Sequence, residues 1–405
     1  MENLKQSRYR VATFLRKVAN RIAPKAVVGS VTYPDIGADR LPKNAFRALI
    51  IYGATGIQRL VEGRDNDPVF KRHTIHWETT EMVRLLNHYG YIVDYADHRS
   101  LFTGDWQKYA LVIDHWNNLC NAPKIPGQKK VNFTTYNHWL EWNTAELKRI
   151  RMFYERTGII VPMCRQIPVL SSDEYADYLT YFGTDLQKDS FSKKPEKIQL
   201  NISSAWVPEY NKKDFAKARN KFLWIGGGGL VHKGLDIVLE AFNNLPETEL
   251  YIVCNLHDPN EKQFMKWAAP LLAQHPKNWH YHGWMDLTSR EFDAIADQCA
   301  GIVYASGAEG GPGSIARAIH NGLIPIVTPS SFVRAEIFGY LIEGYTDREM
   351  INSTIKNVQQ LMWLPEHELR ERSDAVRDFA GKYHTRQAFS ESFSNLIQLA
   401  SKSHR

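Results

Sequence analysis

Short apolar segments alternate with longer amphipathic segments along most of this 405-residue chain. Short β-branched runs joined through helices are typical of parallel sheets that helices cover on both faces. In the first half, helices are predicted over 75–90 and over about 138–157, where apolar residues recur at helical spacing. The predicted strands of this half are FRALIIYGA (46–54), YIVDYAD (91–97), YALVIDH (109–115), KVNFTTYN (130–137), GIIVPMCR (158–165), DYLTYFG (177–183) and KIQLNIS (197–203).

The alternation starts again after a polar, charged stretch at 207–220, which is predicted to be a linker. We therefore predict α/β architecture with two tandem Rossmann-like doubly wound domains, over 45–212 and 219–383, that face each other across a cleft. A C-terminal helix over 384–405 is predicted to cross back to the first domain. The predicted strands of the second half are FLWIG (222–226), ELYIVCN (249–255), WHYHGWM (279–285), GIVYAS (301–306) and IPIVTPSS (324–331).

Residues 1–30 are predicted to form a basic amphipathic helix, followed by a loose connection over 27–44. Such a helix either lies in the headgroup layer of an anionic membrane or packs on the protein's own surface, and the pattern leaves both open. Its apolar stripe consists of Val11, Phe14, Leu15, Val18 and Ile22. Its basic residues are Lys5, Arg8, Arg10, Arg16, Lys17, Arg21 and Lys25, against the single acid Glu2.

The composition, with 43% hydrophobic and 23% charged residues, is that of a soluble globular protein. A net charge of +6 suits anionic small molecules or an acidic membrane surface, but it is too diffuse to indicate nucleic acid. No segment has the length of a membrane span or the apolar region of a signal peptide, so we expect a cytoplasmic protein, peripheral on the inner face of the cytoplasmic membrane if the basic helix binds it. Four widely spaced cysteines without a CxxC pair are expected to be buried free thiols: Cys120, Cys164, Cys254 and Cys299.

The segment GGGGLVHKG (226–234) lies between a predicted strand and a predicted helix. Glycines let backbone N–H groups approach an anion, and the helix dipole adds to the attraction. The segment is not a Walker loop, because Lys233 is followed by Gly234 and not by Ser or Thr. It is not a dinucleotide fingerprint either, because Val231 occupies the position of the third glycine. A phosphate site is favoured over a glycine turn that serves packing alone.

A second glycine-rich loop, SGAEGGPGS (306–314), also follows a strand and opens a helix. Glu309 is predicted to lie at the strand's carboxyl end, facing the same cleft as the first loop. A carboxylate beside such amides is suited to sugar hydroxyls, because it accepts two hydrogen bonds and fixes the orientation of the sugar. The residues expected to offer N–H groups at this second helix N-terminus are Gly310, Gly311, Gly313 and Ser314.

Over about residues 222–330 the chain resembles the donor domain of GT-B glycosyltransferases, particularly the retaining nucleotide-sugar enzymes of glycosyltransferase family four. FLWIGGGGLVHKGLDIVLEAF (222–242) is similar to their glycine-rich loop with its phosphate-binding lysine, here Lys233. HYHGWMDLTSREFDAIADQCAGIVYAS (280–306) is similar to their penultimate donor-domain segment, and EGGPGSIARAIHNGLIPIV (309–327) to the stretch with the Glu-x7-Glu motif. Across 45–210 the resemblance is only architectural.

The resemblance implies a nucleotide-sugar site in the second domain and a GT-B fold. The second glutamate of the motif, which in the family holds the ribose hydroxyls, is replaced by Arg317. An arginine cannot accept those hydrogen bonds, but it can contact a phosphate or stack on a base. The implied donor-binding residues are Gly227, Gly228, Gly229, Lys233, Glu309, Gly310, Gly311, Gly313, Ser314 and Arg317.

The first domain is expected to supply the acceptor side of the cleft. Asp114 and His115 end the strand LVID and are expected to face the cleft, where the resemblance implies that His115 contacts the donor sugar. Arg165 is a further acceptor-side candidate that could meet a phosphate. Each of these residues also has a purely structural interpretation, as a core group or a surface ion pair. Three further histidines are the next candidates for this contact after His115: His73, His76 and His138.

The implied function is transfer of a hexose from a nucleoside diphosphate sugar to a glycan or lipid-linked saccharide, in cell-surface polysaccharide or glycolipid synthesis. Retention of configuration is implied, with no cofactor and no metal, and with Glu309, Lys233 and His115 as the catalytic residues. Lys233 and the helix N-termini would neutralise the charge on the leaving diphosphate. Two alternatives stay open: a non-catalytic nucleotide-sugar-binding relative, suggested by Arg317, and a sugar-nucleotide 2-epimerase.

Overall fold

Each half of the chain forms one sheet of mainly parallel strands in the computed structural model of the protein. The structure describes residues 31–402 except 205–206, 209–212, 276, 332 and 334, so the predicted basic helix of residues 1–30 lies outside the described residues. The α/β class with two tandem doubly wound halves is confirmed.

The first sheet has the order β1-β3-β2-β4-β5-β6-β7, and only β1 runs antiparallel, on the outer edge of β3. Ala48 of β2 lies opposite Val93 of β3 and Leu111 of β4. Residues 33–36, predicted to be part of a loose connection, thus form a strand. The strands are β1 (Tyr33–Ile36), β2 (Phe46–Tyr52), β3 (Tyr91–Asp97), β4 (Leu111–Asp114), β5 (Lys129–Phe133), β6 (Tyr178–Tyr181) and β7 (Glu196–Gln199).

The second sheet is entirely parallel and has the order β10-β9-β8-β11-β12-β13. The chain order reverses between β8 and β11, so the crevice above the carboxyl ends of these two strands is where an open α/β sheet binds its ligand. The strands are β8 (Lys221–Ile225), β9 (Glu249–Val253), β10 (Trp279–Tyr281), β11 (Gly301–Tyr304), β12 (Ile324–Val327) and β13 (Tyr340–Leu341).

Helices pack against both sheets. They are α1 (Thr55–Val61), α2 (Val69–Arg72), α3 (Thr74–His88), α4 (Trp139–Thr157), α5 (Asp185–Ser190), α6 (Phe215–Ala218), α7 (Leu235–Asn243), α8 (Lys262–Gln274), α9 (Arg290–Gln298), α10 (Gly313–His320), α11 (Ala335–Phe338), α12 (Asp347–Met362), α13 (Glu366–Tyr383) and α14 (Arg386–Ser401). Short 3₁₀ turns occupy Trp106–Lys108, Asn118–Asn121, Ser172–Tyr175, Pro259–Glu261 and Pro329–Ser331.

The two halves exchange apolar side chains. Phe153 of α4 and Val161 belong to the core of the second half, whereas Phe389 and Phe393 of α14 belong to the core of the first half. Buried aromatic rings contribute strongly to such cores. Each half therefore contributes side chains to the core of the other, and the cleft is bordered by elements that both cores anchor.

The segment GIIVPMCR (158–165) is not a strand, contrary to the sequence-based prediction. Val161 is buried in the core of the second half, and the N–H groups of Cys164 and Arg165 donate to Oε1 of Glu146 at 2.8 and 2.7 Å. Val161 thus anchors a connection between the two halves. The N–H groups of Cys164 and Arg165 bind the side chain of Glu146, so they do not pair with a neighbouring strand.

A buried ion cluster also joins the halves. Arg149 of α4 donates to Asp236 of α7 at 2.8 Å and to Asp347 of α12 at 2.6 Å. Arg156, two turns further along α4, donates to the same two carboxylates at 2.8 and 2.9 Å and to Glu240 at 2.7 Å. Arg149 is 3% exposed and Asp236 is fully buried, so each charge depends on its partners for stabilisation.

The four cysteines are free thiols, and only Cys254 and Cys299 are buried; Cys120 and Cys164 are partly exposed, contrary to the expectation of burial for all four. Within the described part of the chain, no helix combines the length and the apolar composition that a bilayer crossing requires.

Candidate functional site

A cleft of about 540 Å³ lies between the two sheets, at the carboxyl ends of their strands. Gly226 and Gly227 follow β8, and Val253 ends β9 on one wall. Tyr52 ends β2 and His115 follows β4 on the other wall. Both halves therefore contribute to one concave site, the arrangement expected for an open α/β sheet.

Lys233 and Glu309, predicted from separate loops, form an ion pair in this cleft, with Nζ 3.0 Å from Oε1. Tyr304, at the end of β11, donates to the same carboxylate oxygen at 2.6 Å and accepts from Lys233 at 2.8 Å. Ser306 donates to that oxygen at 3.1 Å. Only 8% of Lys233 and 6% of Glu309 are exposed, so the pair is largely desolvated.

The electrostatics of the pair keep Glu309 ionised. Burial raises the pKa of Glu309, but the charges of Lys233 and Arg165 outweigh this effect and bring the pKa down to about 2. Burial lowers the pKa of Lys233, an effect that the charge of Glu309 opposes. The site thus holds a carboxylate that can accept hydrogen bonds from sugar hydroxyls beside an ammonium group that can bind a phosphate.

The first glycine loop faces the cleft only at its start. Gly227 lines the cleft and has open space at the position of a side chain. Gly228 and Gly229, also predicted to bind the donor, instead lie beside Glu261, whose carboxylate accepts the N–H of Gly229 at 2.6 Å and of Leu230 at 3.2 Å. A buried glutamate therefore already accepts the N–H of Gly229, and donor binding by Gly228 and Gly229 stays a prediction.

The second loop lies against the first half of the chain. A Cβ at Gly310 would be 2.1 Å from the carbonyl oxygen of Thr135, so only glycine permits this approach. Gln187 of α5 donates to the carbonyl of Gly310 at 2.9 Å. The four predicted residues of this loop all line the cleft: Gly310, Gly311, Gly313 and Ser314. Gly313 and Ser314 are the first two residues of α10, and N–H groups at this position have no acceptor within the helix.

Arg317 also lines the cleft, but its guanidinium is occupied within the second half. Nε donates to the carbonyl of Leu287 at 2.8 Å, Nη1 donates to Asn321, and Nη2 forms an ion pair with Asp293 of α9. The side chain that replaces the second motif glutamate therefore braces α10 against α9. A phosphate or base contact by Arg317 stays a prediction, and it would require these bonds to break.

Asp114 does not face the cleft, contrary to its predicted acceptor-side role. It is fully buried, and its carboxylate accepts from the N–H of Asn118 and from the hydroxyl of Ser172, both at 2.8 Å. The carboxylate thus fixes the turn after β4. This is the structural interpretation of a strand-end aspartate, since a buried charge requires several donors.

His115 does line the cleft. Its Nδ1 is 2.9 Å from the carbonyl oxygen of Phe133, and burial lowers its pKa to about 3, so the ring is neutral and Nδ1 carries the proton. Nε2 is then a hydrogen-bond acceptor, suited to a hydroxyl. Of the other histidines, His73 lines the cleft, whereas His76 does not and His138 accepts the N–H of Leu140 at the start of α4.

Sequence reasoning missed three residues in or beneath the cleft. Tyr304 is fully buried beneath it and bridges Lys233 and Glu309, and its place at the end of a strand just before the second loop could have indicated it. Trp284 is 73% exposed at the rim of the cleft. Glu78 of α3 is 3% exposed and accepts from Ser203 at 2.7 Å. Its signal in the sequence is a carboxylate at a core-facing position of an amphipathic helix.

Replacing Glu78 by glutamine is expected to stabilise the protein above neutral pH. Burial raises the pKa of Glu78 to about 7, so between about pH 4.5 and 7 the folded chain binds a proton that the unfolded chain releases, and wild-type stability falls as pH rises. Glu78→Gln should be more stable at pH 8 by on the order of 3 kcal/mol and equal at pH 4.5. Urea unfolding at both pH values measures this; a difference that does not change with pH would contradict it.

No cluster of three or more metal-ligating side chains occurs among the residues that the structure describes. No family model matches the sequence, and no curated protein matches it.

Solved structures do match the chain. Sucrose-phosphate synthase from Thermosynechococcus elongatus has a TM-score of 0.58 and 12% identity, covering 87% of this chain and 98% of its own. WaaG, a glycosyltransferase of lipopolysaccharide biosynthesis, has a TM-score of 0.50 and 14% identity, covering 87% and 99%. Anabaena HepE, solved with UDP and glucose, has a TM-score of 0.50 and 10% identity, covering 88% and 100%. The chain spans 57% of the longer pneumococcal O-GlcNAc transferase GtfA, with a TM-score of 0.46 and 15% identity.

These likenesses define the fold. The protein has the GT-B glycosyltransferase fold, with two Rossmann-like domains that face a common cleft. Membership of family four, which depends on the two loop motifs, stays a prediction.

Proposed function

We propose that the protein is a glycosyltransferase that moves a hexose from a nucleoside diphosphate sugar to a saccharide hydroxyl. The observation that carries the proposal is the ion pair of Lys233 and Glu309, which brings together the two loops that were predicted to bind the donor. A GT-B fold alone does not define a function. A buried cation and a buried carboxylate between a glycine turn and a helix N-terminus match the two chemical parts of such a donor, its diphosphate and its sugar.

In the proposed complex, the donor's phosphates lie against Lys233, Gly227 and the first turn of α10, and Glu309 accepts hydrogen bonds from hydroxyls of the hexose. Negative charge on the leaving diphosphate grows as the glycosidic bond breaks. A fixed ammonium group and N–H groups that need no reorganisation stabilise that charge. HepE, which shares the fold, was solved with UDP and glucose, the same two parts.

We propose retention of configuration and catalysis without a metal ion. Lys233 and the α10 N-terminus would neutralise the diphosphate, which is the task that a metal ion performs elsewhere. In front-face transfer, the acceptor's proton passes to the leaving phosphate oxygen as the new bond to the anomeric carbon forms. His115, whose ring is neutral, and Glu78 line the opposite wall, where they would orient hydroxyl groups.

We propose a glycan or lipid-linked saccharide of the cell surface as the acceptor. WaaG, which shares the fold, acts in lipopolysaccharide biosynthesis. Binding to an anionic membrane surface stays a prediction for residues 1–30, whose basic and apolar pattern is its only support.

Replacing Glu309 by glutamine is expected to lower turnover by about 10- to 150-fold, the equivalent of losing one charged hydrogen bond of 1.5–3 kcal/mol. Binding of the free nucleoside diphosphate should stay equal or tighten, because Lys233 loses a competing carboxylate. Steady-state kinetics with the nucleotide sugar and calorimetry with the nucleotide alone measure the two effects. Equal losses for nucleotide and nucleotide sugar would show that Glu309 does not contact the sugar. Binding without any turnover in the wild type would identify a non-catalytic relative.

A further inference from the structure

Arg165, a residue of the first half, reaches across the cleft to the first glycine loop of the second half. A Cβ placed on Gly229 would lie 2.5 Å from Cγ and 2.9 Å from Cδ of Arg165. Gly229 has a φ of +81°, a conformation that glycine adopts without strain. Glycine at 229 therefore serves both the turn and the approach of the arginine, and the structure places Arg165 beside the first glycine loop.

The backbone of Arg165 is fixed from two sides. Its N–H donates to Oε1 of Glu146 at 2.7 Å, and its carbonyl accepts from the indole of Trp142. Glu146 is 1% exposed, so this short turn is held by a buried carboxylate. Such a costly anchor would be expected where a side chain must be presented in one orientation.

The side chain of Arg165 is fixed as well. Its guanidinium carbon lies 5.4 Å from the ring centre of Trp142, which in turn stacks on His232 with 5.3 Å between ring centres. Stacking on an aromatic face holds the guanidinium plane while leaving its N–H groups available. Nε is buried and has no acceptor among the described residues. Both Arg165 and Trp142 line the cleft.

Two cations face this point of the cleft, Arg165 and Lys233, and both lower the pKa of Glu309. The nearby carboxylate of Glu146 accepts the backbone N–H groups of Cys164 and Arg165. No ion-pair partner of Arg165 occurs among the described residues. The ammonium of Lys233 is already paired with Glu309, so the second cation is the one left to attract an anionic ligand.

We propose that Arg165 and Lys233 clamp the diphosphate of the donor from opposite sides, one cation from each half of the chain. The inference rests on the proposed function and deepens it. Arg165 supplies the forked donors that match phosphate oxygens, and Lys233 supplies a point charge. Donor binding would then join the two halves through the phosphates, in addition to the permanent contacts made by α4.

The test compares Arg165→Gln, Arg165→Lys and a control, Arg151→Gln, by calorimetry. Arg151 lies on α4, and its one ion-pair partner within the described part of the chain is the exposed Glu155. The probes are UDP, GDP and ADP, followed by the monophosphate of whichever binds the wild type. Arg165→Gln should weaken the diphosphate by about 10- to 100-fold and the monophosphate by less, as expected for loss of a charged hydrogen bond. The diphosphate affinity of Arg165→Lys should lie between those of the wild type and Arg165→Gln, and the affinity of Arg151→Gln should equal that of the wild type.

Glutamine keeps Cγ and Cδ, so the packing on Gly229 is preserved, and thermal unfolding without ligand verifies that the variants are folded. Unchanged diphosphate affinity in folded Arg165→Gln would overturn the clamp while leaving the proposed function intact, provided that Lys233 variants still lose binding. Equal losses for diphosphate and monophosphate would overturn the assignment to the diphosphate. If none of the three diphosphates binds the wild type, the proposed function fails, and the clamp fails with it.

Discussion

Replacing Lys233 by methionine is expected to lower the free energy of unfolding by about 3–5 kcal/mol and to abolish diphosphate binding. The variant leaves Glu309 ionised in a site where it is 6% exposed and has lost its closest cation. Combining Lys233→Met with Glu309→Gln should recover most of the stability, because the uncompensated charge is gone, but it should not recover binding. The double variant should therefore be nearly as stable as the wild type and still fail to bind the nucleotide.

Urea unfolding and calorimetry on the two single variants and the double variant give the coupling energy of the pair. The control is Lys221→Met, because Lys221 pairs with Glu249 at 3.4 Å with both side chains about one quarter exposed. Lys221→Met should lower the free energy of unfolding by less than about 1 kcal/mol. If the double variant is as unstable as Lys233→Met, the instability arises from lost packing and not from the charge of Glu309.

Replacing Arg149 alone by methionine should lower the free energy of unfolding by about 3–5 kcal/mol. Methionine fills a similar volume, so the loss comes from the charge. Asp236, fully buried, would keep only Arg156, and Asp347 would lose its 2.6 Å partner. Because the cluster joins α4 to α7 and α12, its loss should also weaken the contact between the two halves.

Denaturant unfolding of Arg149→Met, with Arg151→Met as the control on the same helix, measures this effect. Arg151 is 79% exposed in its side chain and should contribute nothing measurable. Pairing Arg149→Met with Asp236→Asn should restore part of the stability. A cost below about 1 kcal/mol for Arg149→Met would show that water or rearrangement compensates the buried carboxylates.

The fold was predictable where one segment's own pattern decides its structure. The strand predicted over 91–97 has those bounds as β3, and the helix predicted over about 138–157 is α4 (Trp139–Thr157). In both segments, local propensity and burial favour the same structure. The segment 158–165 has the same apolar character, but its partners are the core of the second half and the carboxylate of Glu146, which no local pattern reveals.

The site was predictable to the extent that its residues lie in glycine-rich turns with a recognisable chemistry. Lys233 and Glu309 stand out in the sequence, 76 positions apart, and the structure brings their charges to 3.0 Å. Asp114 and Gly229 lie at or just after the ends of strands, where cleft residues are expected, but Asp114 accepts from Ser172 and the N–H of Gly229 donates to Glu261. Hydrogen bonds between residues this distant in sequence cannot be predicted from the local sequence pattern around either residue.

Incubation with a panel of UDP-, GDP- and ADP-sugars tests the proposed glycosyltransferase activity most directly, with thermal unfolding and release of nucleoside diphosphate measured on the same samples. At least one sugar nucleotide should raise the melting temperature of the wild type, by the equivalent of about 2.7 kcal/mol at one hundred times its Kd. The same compound should be cleaved to its nucleoside diphosphate, and the folded variant with both Lys233→Met and Glu309→Gln should neither bind nor cleave it. A wild type whose melting temperature no member of the panel changes, and which releases no nucleoside diphosphate, would contradict the proposed function.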